Sequence, residues 1–279
     1  MVERSRREIV AAIRAPLFVP ADRPDRFVKA AASGADAVIL DLEDAVAADA
    51  KDAARAALAA DFTDLPVIVR INAAGTSWHE ADVEAVRKLP VAAVMLPKAE
   101  DPAALAAVSA GLGGDVALIA LIESARGVAR VREIAETPGV ARLAFGSVDF
   151  CADLGCAHLR EVLLPIRLQL VLASRLAAIA APVDGVTVQL GDPAIAHDDA
   201  AHARALGFTG KLCIHPKQIA EVKRAFAPAA DEIAWARQVL ASGDGAVSVD
   251  GAMVDEPVRI RARTIIAQAG QTESGTNRR

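Results

Sequence analysis

The sequence predicts a closed (β/α)8 barrel, a TIM barrel, with a C-terminal helical extension, and three observations carry that prediction. Short aliphatic runs recur along the chain without the in-and-out alternation of half-exposed strands, as befits parallel strands buried on both faces. Stretches able to form helices separate them, which favours a barrel over an open doubly wound sheet. The length of 279 residues, 53% of them hydrophobic, suits one such barrel with a tail.

Taken in order, the candidate strands are Pro16–Pro20, Ala37–Leu42, Val67–Ile71, Ala93–Pro97, Ala117–Ile122, Arg142–Gly146, Gly185–Val188 and Lys211–Ile214. Among the intervening helices, Asp49–Ala60 is alanine-rich, Ala81–Lys88 sets Val83 and Val86 on one side, and Asp101–Ser109 opens with Asp-Pro. The longest, Arg160–Ala181, places Val162, Leu163, Ile166 and Leu170 on one face. The barrel is expected over residues 1–225. Beyond it the sequence reads as a helix (Ile233–Leu240), a glycine-rich turn, an extended segment (Ala246–Asp250) and a basic helix (Val258–Ala269). This extension, residues 226–270, has no place inside a completed barrel and is expected to pack on a neighbouring subunit. The polar residues 271–279 are expected to be disordered.

Composition removes several function classes. A net charge of −5 offers no general attraction for nucleic acid or an anionic membrane, and rare aromatics with no tyrosine argue against stacking platforms for single strands. The apolar stretch 162–183 is interrupted by Arg167 and Arg175, too polar for a membrane span. Three cysteines form no even disulfide framework, and the charged N-terminus lacks the apolar core of a signal peptide, so a reducing, cytoplasmic setting is expected. No strand leads into Gly-x-Gly-x-x-Gly or a Walker loop, so neither a dinucleotide nor a nucleotide triphosphate has its usual cradle.

In a barrel, functional side chains sit just past the C-terminal ends of the strands. Here those positions carry Asp41, Glu43 and Asp44, then Arg70 and Asn72, Lys98, Glu123, Asp149 and Asp153, and His215. One such charge is a solvated loop residue; a succession on one rim points to a site. Glu123 and Asp149 close neighbouring strands, and two carboxylates with room for water suit Mg²⁺. The other reading pairs each with an arginine, Arg126 or Arg142. Arg70 could clamp a carboxylate or thioester oxygen, or be held in a buried salt bridge to Asp41 or Asp44. Arg23 and Arg26, in a proline-stiffened loop after the first strand, suit a phosphate, although Asp22 and Asp25 could neutralise them.

Weaker candidates are Cys151-x4-Cys156-x-His158, whose spacing is wrong for zinc, and His197 with His202, which miss the one-face spacing of helical ligands. His215-Pro216 reads as structural or ligand-contacting, and Ser124 and Ser147 lack the signature of an activated nucleophile.

These residues fall in motifs that resemble a known family. Leu17-Phe18-Val19-Pro20-Ala21-Asp22-Arg23-Pro24, Leu40-Asp41-Leu42-Glu43-Asp44, Leu96-Pro97-Lys98, Ile122-Glu123-Ser124-Ala125-Arg126-Gly127, Phe145-Gly146-Ser147-Val148-Asp149 and Gly251-Ala252-Met253-Val254-Asp255 follow one another in order. From about Leu17 to about Ala269 the chain resembles the citrate lyase β-subunit-like branch of the aldolase/citrate lyase family, with its malyl-CoA and citramalyl-CoA lyases. The resemblance implies Mg²⁺ on Glu123 and Asp149, substrate on Arg70 and Glu123, and coenzyme A on Arg23 and Arg26. It also implies that Asp255 enters a neighbouring subunit's site as acid or base, within a trimer or hexamer. The implied reaction is Mg²⁺-dependent carbon–carbon cleavage of a 3-hydroxyacyl-CoA thioester of a small di- or tricarboxylic acid, giving a 2-oxo acid and an acyl-CoA. Two alternatives stay open: a malyl-CoA-type thioesterase using the same site, and a lyase subunit inactive without partner chains. Gln189, in Val186-Thr187-Val188-Gln189-Leu190, departs from the aspartate expected on the seventh strand.

Overall fold

The computed structural model describes residues 4–276 apart from 114, 115, 244, 246 and 250. The chain forms two units, residues 1–223 and 224–279.

The first unit opens with α1 (Arg6–Ala12), started by a reciprocal cap between Ser5 and Glu8. Strand β1 (Pro16–Pro20) and helix α2 (Phe27–Ala31) follow, then β2 (Ala37–Asp41) and α3 (Lys51–Ala56). Next come β3 (Val67–Arg70), α4 (His79–Arg87), β4 (Ala93–Leu96), α5 (Pro102–Gly111) and β5 (Ala117–Ile122). Two short helices, α6 (Ala125–Ala129) and α7 (Val131–Glu136), lead to β6 (Val140–Phe145), α8 (Ser147–Leu154) and the long α9 (Arg160–Leu176). The unit ends with β7 (Ala180–Asp184), α10 (Pro193–Ala205), β8 (Gly210–Lys211) and α11 (Pro216–Phe226).

All neighbouring strands pair in parallel in the order β1 to β8. The sheet closes on itself because Phe18 N–H donates to the Cys213 carbonyl and Cys213 N–H to that of Pro16, both at 2.9 Å. The expected barrel is therefore present. Its interior is filled by Ile39, Ile68, Met95, Ile119, Leu121, Val183 and Leu212. Register sets the rim. Asp41 faces Arg70 directly across β2 and β3, and Ile122 faces Phe145, so Glu123 and Gly146 leave the sheet at one level.

Arg142, expected near the start of the sixth strand, is wholly buried. Its guanidinium donates to the carbonyls of Val10 (2.7 Å), Ile13 (2.6 Å) and Ala181 (2.8 Å) and to Thr209 Oγ1 (2.9 Å). It thus ties α1 to the sheet, and burial lowers its pKa to about 9.

The seventh strand corrects the sequence reading. It is Ala180–Asp184, and the β-branched run Gly185–Val188 lies beyond it in a loop. The alanine-rich residues 177–181 read as the end of a long helix. The helix instead stops at Leu176, and Ala178 reverses the chain at φ 54°. Gln189 is likewise in the loop, where its Oε1 accepts the Gly191 N–H at 3.0 Å; the acid ending the seventh strand is Asp184. The eighth strand is shorter than Lys211–Ile214, although Cys213 still pairs with Leu17.

The second unit packs α12 (Ala230–Ala241) against α13 (Glu256–Thr276) around Ala236, Val239, Val254, Ala262 and Ile265. Between them β9 (Val247–Val249) pairs antiparallel with β10 (Ala252–Val254), the chain turning through Gly251 at φ 79°. Helix α13 runs on over residues 271–276, the first part of the expected tail; residues 277–279 lie outside the described residues, as do Met1–Glu3, Ala246 and Asp250. Among the described residues no helix is long and apolar enough to cross a membrane.

Candidate active site

Three adjacent strands build one wall of the mouth. Asp41, at the end of β2, accepts a two-pronged contact from Arg70 of β3, Nε to Oδ1 at 2.7 Å and Nη2 to Oδ2 at 2.6 Å. The same carboxylate caps the following loop, accepting the backbone N–H groups of Glu43 (2.9 Å) and Ala45 (3.2 Å). Nη1 of Arg70 lies 2.9 Å from Glu43 Oε2, and Asp44 stands off at 4.0 Å. The guanidinium also sits 4.9 Å above the Phe18 ring. Burial alone would lower the Arg70 pKa, but Asp41 and Glu43 outweigh it and raise it, so the side chain is a fixed cation. Asp41 takes two of its five N–H groups as hydrogen bonds, and Glu43 faces Nη1 as an ion-pair partner only, so N–H groups remain on both terminal nitrogens for a ligand. The salt-bridge reading of Arg70 holds, and it is compatible with the clamp.

Glu123, just past β5, is 3% exposed. Its Oε1 accepts the Lys98 backbone N–H at 2.7 Å. Among the described residues no arginine forms a salt bridge with it: Arg126 points to Glu100 at 3.8 Å, and Arg142 is spent at the base of the barrel. Burial, with Glu43 and Asp149 adding negative charge, pushes its pKa up to about 8. Asp149, on the first turn of α8, lines the same pocket as Glu123, Arg70 and Phe18. Gly146 between them is required. A Cβ there would lie 2.4 Å from both Cβ and Oε2 of Glu123, so only glycine lets the sixth strand end beside that carboxylate.

The chemistry of this pair fits a hard divalent cation. Among the described residues neither acid forms a salt bridge, although both line the pocket that Arg70 shares, and the buried one resists ionising until more positive charge arrives. Among the described residues no group of three His, Cys, Asp or Glu side chains could hold a metal ion. Any Mg²⁺ here would therefore keep water or substrate oxygens in its other positions. That same result removes Cys151, Cys156 and His158 as a metal site; the cysteines are free thiols.

The remaining candidates sort by what they touch. Arg23 is an exposed residue paired with Asp25 at 3.0 Å, and Arg26 is exposed in the same loop. Asn72 is tied to Asp82 at 2.6 Å, and Ser124 caps α6 through the Gly127 N–H. Asp153 accepts the Ala125 N–H at 2.7 Å, fastening α8 to α6. His215 Nδ1 takes the Lys217 N–H at 3.1 Å, a structural cap. His197 bonds the Glu221 carbonyl. Asp255 lies in the second unit, where its Oδ1 caps α13 through the Val258 N–H at 3.3 Å.

Two features escaped the sequence. Ser147 is buried, with His158 Nε2 2.9 Å from its Oγ, a pairing no local motif announces. Asp184 is buried between Arg167 Nε (2.9 Å) and Lys211 Nζ (3.2 Å) on the opposite side of the mouth. Placing the seventh strand too late hid it; a buried aspartate after Pro-Val was the available signal.

Comparison with known proteins comes down to one family. The sequence model of the HpcH/HpaI aldolase/citrate lyase family matches residues 14–216. A citrate lyase subunit beta-like protein of Mycobacterium tuberculosis is 41% identical over 273 residues, covering 92% of this chain and 96% of that protein. A (3S)-malyl-CoA thioesterase of Cereibacter sphaeroides is 33% identical over 274 residues, with 92% and 94% covered. Among solved structures, the CitE protein of Mycobacterium tuberculosis in complex with magnesium, acetoacetate and coenzyme A superposes with a TM-score of 0.84 at 40% identity, covering 93% of this chain and 99% of that one.

Proposed function

The chain belongs to the HpcH/HpaI aldolase/citrate lyase family, and from that premise we propose that it is a Mg²⁺-dependent carbon–carbon lyase acting on a 3-hydroxyacyl-CoA thioester of a small di- or tricarboxylic acid. One observation carries the reading: Glu123 and Asp149, in no salt bridge to an arginine among the described residues, share a pocket with a guanidinium that keeps donors free. Glu123 and Asp149 would hold Mg²⁺, which would supply a Lewis acid for the substrate oxygens. Arg70 places its remaining N–H groups against the thioester oxygen, where charge grows as the bond between the hydroxyl-bearing carbon and the α-carbon breaks. Asp41 and Glu43 fix the guanidinium beforehand, so no reorganisation is needed during the step. The products are a 2-oxo acid and an acyl-CoA. The substrate hydroxyl gives up its proton as the carbon–carbon bond breaks, and Asp255, acting as acid or base from a neighbouring subunit of a trimer or hexamer, delivers one to the enolate carbon, which gives the extension its purpose. Arg23 and Arg26 hold coenzyme A phosphates, Arg23 exchanging Asp25 for them.

Hydrolysis of the same thioester is the second reading, favoured by the 33%-identical malyl-CoA thioesterase; Asp255 would then activate water. A panel of malyl-, citramalyl- and citryl-CoA with and without Mg²⁺ tests both. Glyoxylate and acetyl-CoA from malyl-CoA identify the lyase, whereas malate and free CoA identify the thioesterase. No Mg²⁺-dependent turnover by the single purified chain would instead point to a subunit that needs partners.

A further inference from the structure

Lys98 holds a backbone conformation that its residue type resists. Its φ is +46°, and among the described residues only Ala178 shares a positive φ without being glycine. Glycine would adopt this left-handed turn without steric cost, so a lysine kept there points to work for its side chain. Two contacts identify the work. The Lys98 N–H donates to Glu123 Oε1 at 2.7 Å, and the ammonium Nζ donates to Glu43 Oε1 at 2.5 Å. The other oxygen of that glutamate, Oε2, faces Arg70 Nη1 at 2.9 Å. Glu43 is buried while the Lys98 side chain is half exposed at the rim.

We infer that Lys98 is a positioning residue for both halves of the site: its left-handed backbone aims Glu123, and its ammonium sets Arg70 through Glu43. The inference rests on the proposed roles of Glu123 and Arg70. A single N–H on one carboxylate oxygen fixes the plane of Glu123 and leaves its other oxygen toward the pocket side of Gly146. The ammonium balances Glu43. Without it that buried acid has Arg70 as its remaining side-chain cation, and pulls the guanidinium away from the fork with Asp41.

Substitutions separate the halves, because Lys98→Gly and Lys98→Val both remove the ammonium but differ in tolerating a positive φ. Three readouts are taken: Mn²⁺ affinity of metal-free protein by electron paramagnetic resonance, the metal-free melting midpoint, and kcat and KM for whichever thioester the wild type turns over. Lys98→Gly is expected to melt above Lys98→Val, which lacks the same ammonium, to hold the Mn²⁺ Kd within about threefold, and to lower kcat by about tenfold or more. Lys98→Val is expected to lose a similar kcat and also to weaken Mn²⁺ by about tenfold; Lys98→Ala replaces it should Val not fold. Lys98→Arg, which keeps a cation for Glu43, is expected to restore most of kcat.

Full kcat in Lys98→Gly would overturn the ammonium's part, and a midpoint no higher than that of Lys98→Val would overturn the strain argument. Equal Mn²⁺ affinity in the Gly and Val variants would overturn the backbone's part. The underlying reading fails separately, and takes this one with it, if wild type binds no Mn²⁺ or if Glu123→Gln binds it equally well.

Discussion

At the residue scale, the carboxyl of Glu123 ties the fold to pH and metal. Burial and two acidic neighbours raise its pKa from 4.5 to about 8. The folded, metal-free chain therefore holds a proton that the unfolded chain has released. The stability this group contributes is complete below about pH 4.5 and is lost as pH climbs to about 8. Urea titrations of EDTA-treated protein should show that decline, amounting to roughly a few kcal/mol, and Glu123→Gln should flatten it. Cation binding must expel the proton, so Mg²⁺ affinity is expected to rise by up to about tenfold per pH unit below 8, read by calorimetry in buffers of different ionisation enthalpy. Glu123→Gln should abolish Mg²⁺-dependent turnover with circular dichroism unchanged. Gly146→Ala forces a Cβ into Glu123 and should cost about 1–3 kcal/mol together with most of the metal affinity.

At the scale of elements, buried cations pin the barrel. Arg142 satisfies carbonyls of α1, the loop after it and β7, and replacing it by leucine strands all of them. A loss of about 3–5 kcal/mol in urea melts is expected, with specific activity of the folded fraction retained. Six of the strands stand within two residues of where their aliphatic runs place them, because a strand buried on both faces leaves an unbroken apolar signature. Two strands escaped that logic. β7 is alanine-rich with a proline, and β8 is two residues long, so register with neighbours defines them rather than their own composition. Likewise Glu123, Asp149 and Arg70 were legible as charges ending strands. The Asp41 fork, the Lys98 turn and the Ser147–His158 contact depend on how separate strands meet, which no local pattern encodes.

At the scale of the whole molecule, the proposed role of Asp255 would require more than one chain. If Asp255 serves a neighbour's pocket, then Glu123→Gln and Asp255→Asn variants, each inactive alone, should regain partial turnover when unfolded together and reassembled. Light scattering should report a trimer or hexamer; a mixture that stays inactive would place Asp255 in its own chain's site, and an active Asp255→Asn variant would place it outside the chemistry.

The hydrogen bonds joining Phe18 to Cys213 set a timetable for the nascent chain. The first strand is made before the other seven, yet its second hydrogen-bonding partner is made only after the rest of the barrel's strands. Until then the growing sheet carries raw edges on both sides, the arrangement most inviting to intruding strands from other molecules. Slowing translation just before residue 213 would lengthen that vulnerable interval, and chaperone dependence in the cell should lengthen with it.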